Sequence, residues 1–379
     1  MSKRRDGYER SDGRWSAQLA LGWENGKRKR KTIYAETSAE LQLKVAAAKL
    51  DRNNGVLASG RRQTTGQFLK GWLEDVVRPG TRPLTYKRYK SIVETHLVPS
   101  IGQFPAERLT PQHVQAMLNA KGKAGLSPRT VHHMRAVLRT ALNQAMRWGV
   151  VTRNVAALTS PPRVEQHQVE PLSVDEAFEV LDTVKGDRLE AVYVVALTQG
   201  MRIGEILGLQ WTDVDLNVGQ LVVRQAMQRI DGKLLLVPVK TKKSRRTLPL
   251  LPLTVDALTA HYERQLFERR AAGKKWQELG LVFTSTVGSP LDASDVSRRY
   301  QQLRKQADLP PARFHDLRHA CTSLLVAAEV PAGWAMAILG HSNIATTMNI
   351  YSHVMDAQKK EAAARMGRLL TRPAAGVGG

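Results

Sequence analysis

The sequence predicts a multidomain chain: a small β-sheet-plus-helix N-terminal unit, an all-α segment, and a larger mixed α+β domain. Three observations predict it. At 379 residues the chain is too long for one ordinary hydrophobic core. Its apolar residues recur first at a spacing of two, then at helical spacing, then in a mixture of both. Two polar stretches, 55–62 and 161–170, carry glycines or prolines and read as linkers between the periodic segments.

Residues 1–54 read as β then α. Arg14 to Leu21 alternates like a strand, Glu24-Asn-Gly26 is a hairpin turn signal, and a second strand starts at Lys27 and ends near Tyr34. Thr37-Ser38 caps a helix from Ala39 to Leu50. The second strand opens with five cations in a row, Lys27, Arg28, Lys29, Arg30 and Lys31. Such a run repels itself unless an anion lies against it, although lysines also guard solvated edge strands. Residues 63–160 read as all helix. Phe68, Leu69, Trp72, Leu73 and Val76 share a face, and Thr85 caps the next helix after a break at 78–83. Thr110-Pro111 and Ser127-Pro128 start two more helices. The last of these turns Val131, Met134, Val137, Leu138, Leu142 and Met146 inward and Arg129, His132, Arg135 and Arg139 outward.

The domain expected over 171–370 begins at a capping box, Ser173 to Glu176. An apolar helix from Leu189 ends at Gly200, and another starts at Arg202. Strands at about 219–229 and 233–240 flank the Asp231-Gly232 turn, and a third runs from Arg245 to Leu250. Helices follow to Leu370, and the Gly/Ala/Pro-rich tail, 371–379, reads as disordered.

Charge narrows the function. The formal net charge is +23, distributed as +8 over 1–62, +10 over 63–165 and +5 beyond. The excess points to a polyanion, gripped mainly by the first two segments. The lone cysteine, Cys321, excludes an internal disulfide framework and a Cys-rich zinc site; it sits in an apolar helical run and reads as a buried thiol. No apolar run reaches the eighteen residues of a membrane span, and the basic start lacks the apolar stretch of a signal peptide, so a cytoplasmic protein is expected.

The chemistry gathers near the end of the chain. His315-Asp-Leu-Arg318-His, Leu-Gly-His341-Ser and Tyr351 place imidazoles, a guanidinium and a phenol within 37 residues. On a helix His315 and Arg318 share a face. A guanidinium grips two phosphate oxygens, and an imidazole moves protons near neutral pH. No carboxylate cluster, HExxH or CxxC offers a metal site, and no GxxxxGK[ST] loop supports ATP chemistry, so no cofactor is expected. Taken singly, each motif has a plain structural alternative: a helix-start histidine, a C-cap histidine, a core tyrosine.

Five ordered stretches together resemble the tyrosine recombinases, the lambda-integrase family: Thr198 to Trp211, Lys240 to Arg246, His315 to His319, Leu339 to Ser342 and Asn349 to Tyr351. The helical segment is similar to that family's core-site DNA-binding domain, and the N-terminal unit to the arm-site-binding domain of phage-type integrases. The resemblance implies that Arg202 and Arg318 clamp a scissile phosphate and Lys240 protonates the 5′-oxygen leaving group. Lys242 and Lys243 share the Lys240 loop, which could present either one as the acid instead; their plainer role is contact with the DNA backbone. His315 would transfer protons, His341 would bond a non-bridging oxygen, Glu205 would orient its neighbours, and Tyr351 would attack phosphorus to form a 3′-phosphotyrosyl link.

The resemblance also implies a nucleoid-associated place in a bacterial host cell, and it implies partners. These are core-type and arm-type attachment sites in double-stranded DNA, and a homotetramer at synapsis in which the helix from Val354 to Leu370 docks on a neighbour or on its own domain. A DNA-bending host protein and an excision factor are left open. One departure from the family pattern, Asn154-Val155 in place of Asn-Pro, is expected to loosen the entry to the linker. Alternatives are a resolvase of chromosome dimers, a type IB topoisomerase and a non-catalytic DNA-binding regulator.

Overall fold

The structure is a computed structural model. It describes residues 7–24, 27–53, 63–164, 173–239 and 244–340 and positions 348 and 366, with backbone alone at 21–24, 27–29 and 50–53. The turn at 25–26, the linker at 55–62, the Lys240–Lys243 loop, His341, Tyr351, the helix expected from Val354 and the tail lie outside the described residues. The chain divides into two compact units, Met1–Gln166 and His167–Gly379.

In the first unit, strands β1 (Tyr8–Glu9), β2 (Trp15–Glu24) and β3 (Lys27–Ala35) form an antiparallel sheet in that order. The long pair runs from Trp15 opposite Ala35 to Glu24 opposite Lys27, with a bulge between Ala20 and Gly22. Helix α1 (Ser38–Asn53) packs Leu41, Val45 and Ala48 on Ala17, Leu19, Ile33 and Ala35 of the sheet. Its start is fixed by Thr37, whose hydroxyl accepts from the Glu40 backbone N–H at 3.2 Å. The basic run is a strand, so consecutive cations alternate between faces rather than forming one row. Arg30 and Lys31 are exposed, and Arg30 reaches Gln18 Oε1 at 3.4 Å.

The helical part of this unit is built from α2 (Thr65–Trp72), α3 (Arg78–Gly80), α4 (Pro83–Ile92), α5 (Val98–Ile101), α6 (Pro111–Lys123) and α7 (Pro128–Arg147) around one buried cluster. Two π turns, Leu73–Val77 and Val93–Leu97, join α2 to α3 and α4 to α5. The first explains a misplaced residue: a π turn spends an extra residue per turn, so Val77 takes the buried position expected of Val76, which is only half-buried. The helix accordingly runs on to Gly80 through the expected break. Thr85 caps nothing, because Pro83 already occupies the first helical position after Arg82. On α7 the predicted inward residues are buried except Met146, which is exposed beside the C-cap at Trp148; Ala141 and Ala145 fill the face instead.

The expected loosening at Asn154 does not occur. Asn154 is buried; its Oδ1 accepts from the N–H groups of Ala156 and Ala157, and its amide donates to Arg139 O at 2.8 Å and Asn143 Oδ1 at 2.6 Å. Gln115 pairs with both backbone groups of Ser160. The chain is therefore pinned to its helices up to Ser160.

The second unit surrounds one large core, with a smaller cluster at Val326 and Ala335 beside it. Helix α8 (Val174–Val184) starts with the predicted Ser173/Glu176 capping box. Helix α9 (Glu190–Gln199) is buried on nearly all sides, and α10 (Ile203–Leu207) follows after Gly200. The strand expected at 219–229 is broken at Arg224, which pairs with buried Asp213 at 3.1 Å. Its halves enter different sheets: β4 (Val214–Asp215), β5 (Gln220–Val223) and β8 (Arg246–Pro249) form one, and β6 (Gln225–Ile230) and β7 (Lys233–Pro238) form a hairpin. The hairpin turn has φ 47° at Asp231 and 82° at Gly232, as its Asp-Gly sequence requires. Helices α11 (Pro252–Ala272), α12 (Ala293–Gln306), α13 (Asp316–Ala327) and α14 (Ala332–Leu339) complete the described part.

Helix α10 lies against β6 because Gly204 and Gly208 bring no side chains to the interface. A Cβ on Gly208 would sit 2.8 Å from both Ala226 Cα and Met227 N. Both obstacles are backbone, so Gly208→Ala is expected to cost about 1–3 kcal/mol through overpacking. A urea midpoint equal to that of the wild type would contradict this packing.

Candidate active site

The site is assembled from the ends of four helices and one strand. Helix α9 stops at Gly200, whose φ of 56° is a left-handed C-cap. No side chain fits there in any case: a Cβ would meet Leu339 Cδ2 at 2.5 Å and Cys321 Sγ at 3.0 Å. The freed carbonyl of Gly200 accepts from Arg318 Nη1, and the carbonyl of Leu339, at the end of α14, accepts from Arg318 Nη2 at 2.6 Å. Arg318 is 3% exposed. Its charge is thus held between two helix C-termini, where carbonyl dipoles favour a cation. Burial, and then the charge of Arg202, lower its pKa to about 9, which leaves it protonated at neutral pH.

Arg202 is the N-cap of α10, and its Nη1 donates to Glu205 Oε1 at 2.9 Å. The second carboxylate oxygen of Glu205 accepts from the Arg202 backbone N–H at 3.2 Å and from Arg246 Nη2 at 3.0 Å. Burial pushes the Glu205 pKa up, but Arg246 and then Arg202 outweigh it and hold the carboxyl ionised below its usual range. Arg202 keeps 44% of its side chain exposed while Glu205 keeps 5%, so the carboxylate is the anchor and the guanidinium is the part presented outward.

His315 is the residue from which α13 starts, and its ring stands perpendicular to that of His319, 5.2 Å away. Asp316 fixes this entry by accepting from the Arg313 backbone at 2.6 Å and from its Nη2 at 2.9 Å. Desolvation, then His319 and Arg318, lower the pKa of His315 to about 4. Its ring is therefore neutral at pH 7 and can accept a proton or donate one N–H. Cys321 is the inert thiol expected: its Sγ lies 3.5 Å from Thr198 O, and burial pushes its pKa up to about 12.

Of the residues singled out in the sequence, Arg202, Glu205, His315 and Arg318 share one electrostatic neighbourhood. Lys240, His341 and Tyr351 lie outside the described residues, although Lys240 is four positions before Ser244 and His341 directly follows Gly340. On α7, Arg129 and Arg139 are exposed, whereas Arg135 bonds Thr159 Oγ1 and Ala157 O and helps hold the exit from the helix. Sequence reasoning missed Arg246. Its signal was present: β8 pairs Arg246 with buried Val223 and Leu248 with buried Leu221, so Arg246 is a cation on the inward phase of a strand. Among the described residues, no three His, Cys, Asp or Glu side chains cluster as metal ligands, and no helix is long and apolar enough to cross a membrane.

This arrangement defines a class: a mostly helical domain with two small sheets, in which Arg202 and Arg318 concentrate positive charge beside a neutral His315. Sequence comparison specifies it. Residues 169–358 match the phage integrase family, and residues 64–122 match its N-terminal SAM-like domain. An integrase of Streptomyces ambofaciens is 32% identical over 371 residues, covering 93% of this chain and 94% of that protein. A protein named tyrosine recombinase XerC-like, from Caldanaerobacter subterraneus subsp. tengcongensis, is 30% identical over 359 residues, covering 89% and 92%. The chain belongs to the phage integrase family of tyrosine recombinases.

Solved structures share its fold. The Tn1549 transposon integrase in complex with transposon right end DNA superposes with a TM-score of 0.70 at 20% identity, covering 82% of this chain and all of that one. A lambda integrase tetramer bound to a Holliday junction gives 0.56 at 19%, covering 91% and 94%.

The histidines make stability pH-dependent. His261, 3% exposed and bonded through Nε2 to Val282 O at 2.8 Å, also has its pKa lowered to about 4, chiefly by burial. From about 6.5 down to about 4 the unfolded chain takes up protons that the folded chain refuses, so stability falls as pH falls through that window. His261 carries the larger share, because His315 keeps an open edge to solvent. The melting temperature is expected to be lower at pH 5 than at pH 7.5; a flat profile would contradict the buried neutral state of His261.

Proposed function

We propose that the chain is a site-specific DNA recombinase of the integrase type, which integrates and excises a mobile element by cleaving and rejoining DNA through a 3′-phosphotyrosyl intermediate. The observation that carries this reading is the pair of guanidiniums, Arg202 and Arg318, each fixed by buried acceptors in a chain of the phage integrase family. In the proposed reaction the Tyr351 oxygen attacks phosphorus, an O–P bond forms, and the bond to the 5′-oxygen breaks. Lys240 gives the leaving oxygen its proton. Arg202, Arg318 and His341 bind the non-bridging oxygens and stabilise the added charge of the pentavalent transition state. His315, neutral at pH 7, relays the proton of the attacking phenol. Rejoining is the reverse attack by the 5′-hydroxyl of a second strand, so no ATP is consumed.

The same reading assigns residues 1–54 to arm-type sites, 63–160 to core-type sites and 171–370 to catalysis. Three features support it: separate hydrophobic clusters in the three segments, exposed cations Arg30, Lys31, Arg129 and Arg139, and the DNA-bound forms of the integrases that share the fold. The lambda tetramer on a Holliday junction supports a tetramer at synapsis. Whether a host DNA-bending protein or an excision factor joins the complex is a matter for recombination assays with added factors. The name of the XerC-like relative favours one second reading, resolution of chromosome dimers.

On a nicked suicide DNA carrying its core site, the wild-type chain is expected to accumulate a covalent adduct and Tyr351→Phe none. A wild-type chain that forms no adduct, or an adduct that survives Tyr351→Phe, would contradict the nucleophile. Deleting 1–62 is expected to abolish integration between long and short sites while sparing core cleavage; integration at an undiminished rate would contradict the assignment of residues 1–54 to arm-type sites.

A further inference from the structure

Arg246 is nearly as buried as Glu205, with 7% of its side chain exposed, and it has a different partner on each nitrogen. Its Nη2 donates to Glu205 Oε2 at 3.0 Å, its Nε to Ile338 O at 2.7 Å and its Nη1 to Ser244 O at 3.1 Å. These partners belong to three separate stretches of chain. Glu205 is the carboxylate that holds Arg202. Ile338 O is at the last turn of α14, three residues before His341, and Ser244 closes the loop that begins at Lys240. The fit is tight as well as bonded: Gly340, at φ 64°, lies so close that a Cβ there would stand 2.9 Å from Arg246 Nη1 and 3.1 Å from its Cζ.

We propose that Arg246 is a positioning residue of the active site. It holds Glu205 against Arg202 while locking the two segments that lead to Lys240 and His341 at a fixed distance from that pair. The chemistry of the side chain suits the role. A planar guanidinium presents donors in several directions within one rigid frame, which a lysine ammonium on a flexible stem does not. A buried cation also requires every one of these acceptors, so loss of alignment in any of the three segments leaves a charge unsatisfied. As a positioning residue, Arg246 acts through Glu205 and through the backbone of its neighbours.

The inference rests on the reading of Arg202, Lys240, His341 and Tyr351 as the cleavage site, and the controls separate the two. The full-length wild type and Tyr351→Phe establish that adduct formation on the nicked suicide DNA occurs and depends on Tyr351. Should either control fail, the site reading falls, and Arg246 falls with it.

With those controls in place, Arg246→Met and Arg246→Lys are compared with wild type for single-turnover adduct formation at saturating DNA, for core-site Kd and for melting temperature. Misalignment of this kind is expected to slow adduct formation by about 100-fold in Arg246→Met while leaving Kd within a few-fold of wild type. Arg246→Lys, which keeps the charge but not the fork, is expected to recover only part of the rate while folding. Combined with Glu205→Gln, Arg246→Met is expected to add much less than its own factor, because both substitutions release the same Arg202. Wild-type cleavage by the folded Arg246→Lys and Arg246→Met chains would overturn the proposal. So would a loss confined to Kd, or rate factors that multiply independently in the double variant.

Discussion

The second unit is organised around the burial of positive charge. Two arginines, Arg318 and Arg246, are taken almost wholly out of water, and an unpaired cation in such a place would be prohibitively unfavourable. The fold meets this with acceptors it can aim accurately: the Glu205 carboxylate and the carbonyls that helices leave unsatisfied at their C-termini. Those carbonyls come from Gly200 after α9 and from Ile338 and Leu339 in α14. The glycines of the site follow from the same constraint. Gly200 and Gly340 lack side chains because Leu339, Cys321 and Arg246 occupy the space where a Cβ would go.

This arrangement suits the chemistry of a phosphodiester. Groups that stabilise a transition state do so best when they need no rearrangement at the moment of reaction. Here the buried side of each guanidinium is tied to protein. Arg202 keeps an exposed portion, while its carboxylate partner stays inside. His315 is neutral chiefly because its ring is desolvated; His319, Arg318 and Arg202 then add to the cost of another positive charge.

Much of this was legible in the sequence because the relevant signals are local. Capping residues Thr37, Thr110, Ser127 and Ser173 marked helix starts, and Asp231-Gly232 marked a hairpin, since each works through hydrogen bonds or dihedrals within a few residues. The ordered motifs around Arg202 and Arg318 were visible for the same reason. What escaped was non-local or departed from the standard period. The π turn after Trp72 shifts burial from Val76 to Val77 without any Pro or Gly at the shift to announce it. The break at Arg224 depends on its pair with Asp213, and β5 pairs with β8 between residues as far apart in sequence as Gln220 and Pro249. Asn154 and Arg135 were read as a loose linker entry and an outward cation, yet both are bonded to the chain around them. Arg246 carried a signal, charge on the inward face of a strand, but its meaning depended on where Glu205 and α14 would lie.

The proposed site depends on Arg318, a cation fixed by two helix ends. The most direct test is the single-turnover cleavage rate of Arg318→Lys on nicked core-site DNA, with folding confirmed by its melting transition. Lysine keeps the charge but cannot bridge two carbonyls and a phosphate in one plane. A folded, DNA-binding variant whose cleavage falls by about 100-fold or more is the result predicted. Cleavage at the wild-type rate would contradict it, because charge alone would then suffice and the geometry described for Arg318 would be incidental to catalysis.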